Sequence, residues 1–278
     1  MKTPARSNKT TEKLVMDAIA GAKRRYTLPD LERALSRQRG MPRRFVRQTV
    51  RALVSANMIV YTQIHGHTFL DISYRRPVPV GRGVVLAPPD LSFDPAPGQT
   101  LIRIAPGAAF GMGDHPTTRL ALRMTAWAIG ERQLIGHPAD AAALDIGTGS
   151  GVLAICACLM GVGRAAGIDT ESCARAEARE NVRLNALQDR ISISPAAPDA
   201  LAGSFALILA NLRWPTLSAM RGRILELAPR GGLLIFSGFR ETETAGLVDA
   251  YTTSGAVLLR TRTENSWAAI ALSIQKEG

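Results

Sequence analysis

The sequence predicts an α/β fold built on a mainly parallel sheet, with a small basic domain of helices and a hairpin in front of it. Three observations predict this. Apolar strand-like runs alternate with helical stretches in the larger, C-terminal part. One of those runs passes into a helix through alternating glycines near residue 150. The whole excess of positive charge lies in the first 80 residues.

The alternation comes first. Strand-like runs fall at residues 142–146, 165–168, 205–210 and 233–236, with helical stretches between them, and two more at 256–259 and 267–274. Strands that alternate with helices imply a parallel sheet covered on both faces. The chain has 278 residues, 46% hydrophobic and 21% charged, which is enough to bury a core and excludes a disordered, collagenous or coiled-coil class. The longest uncharged run, residues 146–163, holds five glycines, and its apolar part is shorter than the roughly 20 residues that cross a bilayer. No apolar segment follows Met1, so the expectation is a cytoplasmic protein without membrane attachment. The three cysteines, Cys156, Cys158 and Cys173, are too few for a disulfide framework. Cys156 and Cys158 point apart on a helix, and they read as small core residues rather than metal ligands.

Residues 1–80 carry 16 Lys/Arg against 5 Asp/Glu, and residues 81–278 carry 18 against 18. The asymmetry suggests two modules, the basic one facing a polyanion. The expected organisation is a basic domain over 1–75, a Pro-rich linker over 76–98 and the main domain over 99–278. Residues 1–10 read as a tail. Leu14, Val15, Ala18 and Ile19 form one helical stripe. Thr27 caps a second helix with Asp30 three residues on, and Leu31, Ala34 and Leu35 follow before Gly40. Pro42 opens a third, with Phe45, Val46, Thr49, Val50 and Leu53 on its apolar face. The period then changes to two over 59–65 and 67–72, a hairpin around Gly66. Three helices and a hairpin in this order resemble a winged helix-turn-helix. Arg43, Arg44, Arg47 and Arg51 form a basic face on the third helix, placed to meet phosphates or base edges. A protein partner or plain solvation explains the same face.

The sharpest local signal is Leu144-Asp145-Ile146-Gly147-Thr148-Gly149-Ser150-Gly151. Glycines at a strand-to-helix turn let the backbone approach a ligand. A dinucleotide fingerprint needs a third glycine three after Gly149, where Val152 stands, so pyrophosphate is disfavoured. Asp169 ends the next strand, 22 residues after Gly147, where an acid accepts hydrogen bonds from a ribose diol. Asp145, Gly147, Gly149 and Asp169 thus describe a site for an adenosine-containing ligand without a pyrophosphate.

With these residues the sequence resembles class I S-adenosylmethionine-dependent methyltransferases, and among them the PrmA-type ribosomal stalk-protein lysine methyltransferases. Further stretches carry the resemblance: Pro106-Gly107-Ala108-Ala109-Phe110-Gly111-Met112-Gly113-Asp114-His115-Pro116-Thr117-Thr118, Ala210-Asn211-Leu212, and Leu227-Ala228-Pro229-Arg230-Gly231-Gly232 leading to Ser237-Gly238. The resemblance spans residues 77–274 and implies a Rossmann-like seven-stranded sheet with S-adenosyl-L-methionine as cofactor. It implies that Thr118 and Phe110 line the pocket, that Gly147 meets the methionine end, that Asp169 holds the ribose and that Asn211 sits at the reacting edge. His115 belongs either to that pocket or to a Pro-bounded turn. No metal is implied. The expected reaction is N-methylation of a protein, most simply at lysine, with the carboxamide of Asn211 orienting the amine and a ribosomal or other RNP-associated protein as partner. Two departures stand out: Ala206 where the family has an Asp, and Arg213 where it has an apolar residue. A basic, winged-helix-like segment also replaces the family's small α/β substrate-docking domain. The alternatives are a small-molecule methyltransferase dimerised through its N-terminal domain, and a DNA-binding regulator that senses the cofactor.

Overall fold

The computed structural model describes residues 4–275 apart from 21, 23, 24 and 65. The chain divides into two compact units, Met1–Arg76 and Pro77–Gly278.

The second unit opens with a three-stranded sheet of β3 (Val78–Val80), β4 (Val84–Ala87) and β5 (Thr100–Arg103), in the order β3-β4-β5. The stretch expected as a linker therefore supplies two strands of this unit. Its prolines fit because Pro79 lies on the exposed edge strand and Pro88 and Pro89 follow the end of β4, where no ladder hydrogen bond is lost. Then come α4 (Pro116–Ala126), β6 (Ala142–Ile146), α5 (Val152–Leu159), β7 (Arg164–Ile168), α6 (Ser172–Leu184), β8 (Ile191–Ser194) and β9 (Leu207–Asn211). The chain continues through α7 (Trp214–Ala219), α8 (Arg221–Leu227), β10 (Leu233–Arg240), α9 (Thr244–Thr252), β11 (Ala256–Glu264) and β12 (Trp267–Ile274).

These strands form one seven-stranded sheet in the order β11-β12-β10-β9-β6-β7-β8, parallel except for β12, which is antiparallel to both β10 and β11. Every residue of β6 is buried, as befits a central strand with helices on both faces. The chain runs outward from β6 to β8, then returns to place β9 on the other side of β6. Such a reversal leaves a crevice at the carboxyl ends of the strands, where ligands collect in open α/β sheets. Helix α5 is buried almost throughout, Cys156 and Cys158 included. Burial pushes the two thiols up to about 12 and about 11, so both stay protonated packing groups.

The first unit contains α1 (Pro4–Ala20), α2 (Leu28–Arg39), α3 (Arg43–Ser55), β1 (Ile59–Ile64) and β2 (His67–Ile72). The expected tail is helical from Pro4 onward, a proline being harmless in a first turn. At α2 the Thr27 hydroxyl accepts the Asp30 amide at 3.3 Å and donates to its carboxylate at 2.7 Å. Gly40, at φ 63°, closes the helix in the left-handed conformation. Val15, Leu31, Leu35, Val46, Val50, Leu53, Ile59 and Leu70 share one core. Phe45 is outside it and 47% exposed, because it lies about 100° around the helix from the centre of the stripe formed by Val46, Thr49, Val50 and Leu53. The antiparallel hairpin is held to the segment before α2, where the Leu70 amide donates to the Tyr26 carbonyl at 2.8 Å.

All four arginines of the expected basic face are exposed, but they are not equivalent. Arg44 lies over the Phe45 ring at 5.2 Å. Arg47 forks onto Glu32 of α2, Nε to Oε1 at 2.7 Å and Nη2 to Oε2 at 3.1 Å, and the Glu32 side chain is only 5% exposed. A carboxylate so covered needs its partner, so Arg47 is a structural cation and not a free phosphate contact. Arg47→Ala strands that carboxylate. The variant is expected to melt at a lower temperature than Arg43→Ala when both are followed by circular dichroism; equal midpoints would contradict the assignment.

Candidate active site

Four segments meet at the carboxyl ends of β6, β7 and β9. The first is the turn after β6. Gly147 (φ 68°), Gly149 (φ 54°) and Gly151 (φ 81°) all lie in the left-handed region. The amides of Gly147 and Thr148 donate to the Ile168 carbonyl at 2.9 and 3.0 Å, tying the turn to the end of β7. The reason for glycine is also steric. A Cβ on Gly149 would stand 2.3 Å from the Phe110 carbonyl oxygen, and one on Gly147 would stand 2.6 Å from Leu212 Cδ2. The loop expected to precede the site and the residue after Asn211 thus press directly on the glycine turn.

The second segment is Asp169, just past β7. Its Oδ2 accepts the Gly149 amide at 2.9 Å and its Oδ1 accepts the Glu171 amide at 2.9 Å. A carboxylate has about four lone-pair positions, so two amides orient it and leave capacity for a diol. Asp145 lies beneath the turn, 1% exposed, accepting from the Thr148 hydroxyl at 2.7 Å and the Ala154 amide at 3.2 Å through Oδ2. Burial raises its carboxyl to about 6 from the usual 3.8, with Asp169 adding to the rise, while the bonds from Thr148 and Ala154 pull the other way.

The third segment ends β9. Asn211 donates from Nδ2 to the Thr118 hydroxyl at 3.4 Å, and Thr118 is fully buried in the first turn of α4. The Asn211 Oδ1 is buried with no hydrogen-bond partner. The Leu212 amide donates to the Ser237 carbonyl at 2.9 Å. Gly238 (φ 97°) lies against the Leu212 backbone so closely that a Cβ there would be 2.5 Å from its carbonyl oxygen. The Ser237-Gly238 pair of the sequence motif is therefore the floor under Asn211 and Leu212.

The fourth segment is the loop before α4. The Phe110 carbonyl accepts the Ser150 amide at 2.9 Å, while the residue is 52% exposed and its ring packs on His115 at 5.2 Å. His115 caps α4: its Nδ1 accepts the Thr117 amide at 3.3 Å, and its ring meets Trp267 at 4.9 Å. The geometry gives His115 a capping role in the turn, while its ring lies beside Phe110. Arg119 donates to the Gly113 and Asp114 carbonyls at 3.0 and 2.7 Å and pairs with Glu264, which also holds Arg123.

Sequence reasoning missed the residues that hold this loop from behind. Along α6, Glu177 accepts the Ala108 and Ala109 amides at 2.8 and 2.9 Å. Asn181 accepts from Ala105 and donates to Ser150, at 3.0 and 2.8 Å. Asn185 exchanges bonds with the backbone of Arg103 at 2.9 and 2.7 Å. The signal was present as three polar residues at four-residue spacing, which share one helix face. The site as a whole brings together Asp145, Gly147, Gly149, Asp169, Thr118 and Asn211. Arg43, Arg44, Arg47 and Arg51 belong to the other unit. Among the described residues, no group of three His, Cys, Asp or Glu stands close enough to hold a metal, and no helix is long and apolar enough to cross a membrane.

Because folded Asp145 holds its proton to about pH 6 and the unfolded chain releases it near 3.8, the folded state binds more protons between these values. The stability this adds is present at the acid end and lost as pH rises to about 6. Asp145→Asn has no such component. The difference in melting temperature between Asp145→Asn and wild type is expected to grow in the variant's favour from pH 4 to pH 6; parallel profiles would contradict the assignment.

Comparison with known proteins gives a consistent result. The family model described as ribosomal protein L11 methyltransferase (PrmA) matches residues 70–275. A ribosomal protein L11 methyltransferase of Geobacter metallireducens is 34% identical over 194 residues, 70% of this chain and 61% of that protein. One from Geotalea daltonii is 33% identical over 205 residues, 73% of this chain and 65% of that protein. The chain thus spans less than two thirds of the length of these curated relatives. The crystal structure of a ribosomal protein L11 methylase from Lactobacillus delbrueckii subsp. bulgaricus superposes with a TM-score of 0.64 at 26% identity, covering 72% of this chain and all (100%) of that one. The glycine turn, the acid after β7, the Asn at the end of β9 and the loop before α4 all fall within the matched residues, and the chain belongs to the ribosomal protein L11 methyltransferase (PrmA) family.

Proposed function

We propose that the chain is an S-adenosylmethionine-dependent protein N-methyltransferase acting on a lysine amine. The observation that carries this is the Asn211 carboxamide oxygen, buried beside Thr118 without a partner. A buried acceptor left empty costs about 1–3 kcal/mol, and an amine donor entering the site removes that cost. The residues present fit the cofactor: Asp169 for the ribose diol, and Gly147 and Gly149 for close backbone approach. The cofactor supplies an activated methyl group on sulfur.

The chain's own residues then have three tasks. Asp169, held by two amides, fixes the adenosyl end. The packed glycine turn and the loop before α4 exclude water and hold the reacting partners in line. Asn211 accepts a hydrogen bond from the incoming amine and aims its lone pair. The amine must arrive neutral, which from a free pKa near 10.4 costs roughly 4–5 kcal/mol at pH 7. Desolvation in the site and the positive sulfonium both lower that cost.

The names of the relatives support a ribosome-associated protein as the acceptor, in the cytoplasm, over a small molecule or a regulatory role. The family match begins at residue 70, so the basic first unit lies almost wholly outside it. We assign substrate docking to that unit. Its helix order, its hairpin and the Tyr26–Leu70 bridge support a winged-helix reading.

Mass spectrometry of lysates treated with active enzyme or with Asp169→Ala enzyme tests the reading. Methyl-lysine peptides are expected with the active enzyme alone; methyl groups entering only nucleic acid or small molecules would refute it. Asn211→Ala is expected to slow transfer about a hundredfold while changing cofactor affinity less than tenfold. An unchanged rate would remove Asn211 from the chemistry.

A further inference from the structure

A second cavity, of about 300 Å³, lies at the other end of α4. Thr118 is in the first turn of that helix, while Arg123 and Ala126, which line the cavity, are in the last, about 8 and 12 Å further along the axis. Its remaining lining comes from Val80 at the end of β3, from the β3–β4 turn, Gly81-Arg82-Gly83, from Glu131 and from Arg262 on β11. Three arginines and one glutamate therefore line the cavity, the Arg123 guanidinium being paired with Glu264 behind the lining.

One lining residue has a buried donor without an acceptor, Arg262 Nε, and a second such donor, Trp127 Nε1, belongs to a residue outside the lining. Trp127 opens the π-helical turn Trp127–Glu131, which ends at the lining carboxylate, and Arg260 lies over its ring at 4.7 Å. Arg123 is held in place by Glu264 at 2.6 Å, and Arg123 Cγ packs against the turn where a Cβ on Gly81 would come within 3.1 Å. Burial and the nearby Arg260 and Arg123 disfavour the charged form of Arg262, and Glu131 opposes them only in part. An unsatisfied buried donor on a cation is expensive, and repulsion among fixed cations adds to the cost. An anion in the cavity relieves the repulsion among the lining cations.

We propose that this cavity binds a phosphate group. A carboxylate satisfies one planar fork, whereas a phosphate offers several oxygens and up to two negative charges to guanidiniums on different elements. The volume exceeds what a lone phosphate needs and matches the lower range of small-molecule sites. The ligand is therefore free phosphate or, better filling the space, a small phosphorylated molecule. The site shares no lining residue with the glycine turn, Asp169 or Asn211, so it stands independently of the proposed reaction.

The test is calorimetry on the full chain with inorganic phosphate, glycerol 3-phosphate, glycerol and, at matched ionic strength, chloride. Saturable binding of phosphate or glycerol 3-phosphate, absent with glycerol and chloride, is expected. Arg262→Ala and Arg82→Ala are each expected to weaken it at least tenfold. Tighter binding of glycerol 3-phosphate than of phosphate identifies a phosphorylated small molecule, and the reverse identifies the free ion. Arg82 lies on an exposed turn, so its variant keeps the test valid if Arg262→Ala fails to fold. No response beyond chloride, or unchanged affinity in a folded variant, would overturn the proposal.

Discussion

Backbone pressed on backbone at the end of β6 is the constraint from which the rest of the site follows. Gly149 lies under the Phe110 carbonyl, Gly147 under the Leu212 side chain, and Gly238 under the Leu212 backbone. At Gly149 and Gly238 the neighbour is backbone and leaves no room for a Cβ, at Gly147 it is the movable end of a side chain, and all three glycines have a positive φ. Three segments far apart in sequence are thereby locked into one surface. Hydrogen bonds finish what the sterics begin, as Ser150 donates to Phe110, Gly149 to Asp169 and Leu212 to Ser237. Contacts of this kind restrict the surface, and a restricted surface has less to order on binding.

The same packing separates the roles of the two acids. Asp169, past the end of β7, is oriented by two amides and keeps part of its acceptor capacity open. Asp145, beneath the turn, spends its carboxylate on Thr148 and Ala154 and is shielded from solvent. It braces the turn from beneath. Asn211 is the converse case, since its amide nitrogen is used and its oxygen is not. Polar groups buried without partners are rare, and the proposed role of Asn211 rests on this one at the crevice of a parallel sheet.

Much of this was legible in the sequence because it depends on local rules. The strands at 142–146 and 267–274 appear at their expected bounds, since short, mostly apolar runs mark buried strands. β8 was not visible: Ile191-Ser192-Ile193-Ser194 is short and alternates, and its identity as a strand comes from pairing with β7. The small sheet of β3 to β5 was hidden by prolines that edge and terminal positions tolerate. In the site, the glycines and acids announced themselves by type and spacing. The grip of Glu177, Asn181 and Asn185 on the backbone of residues 103–109 and on Ser150 did not, because its partners are main-chain atoms that a sequence does not display. Arg47 looked like its neighbours until folding placed Glu32 beside it.

The central claim is that the glycine turn and Asp169 form a preorganised adenosyl site. Isothermal titration of the purified full chain with S-adenosylhomocysteine tests it most directly. The account predicts saturable one-to-one binding in the wild type and at least tenfold weaker binding in Asp169→Ala. Absence of heat in the wild type, or equal affinity in the two proteins, would contradict it.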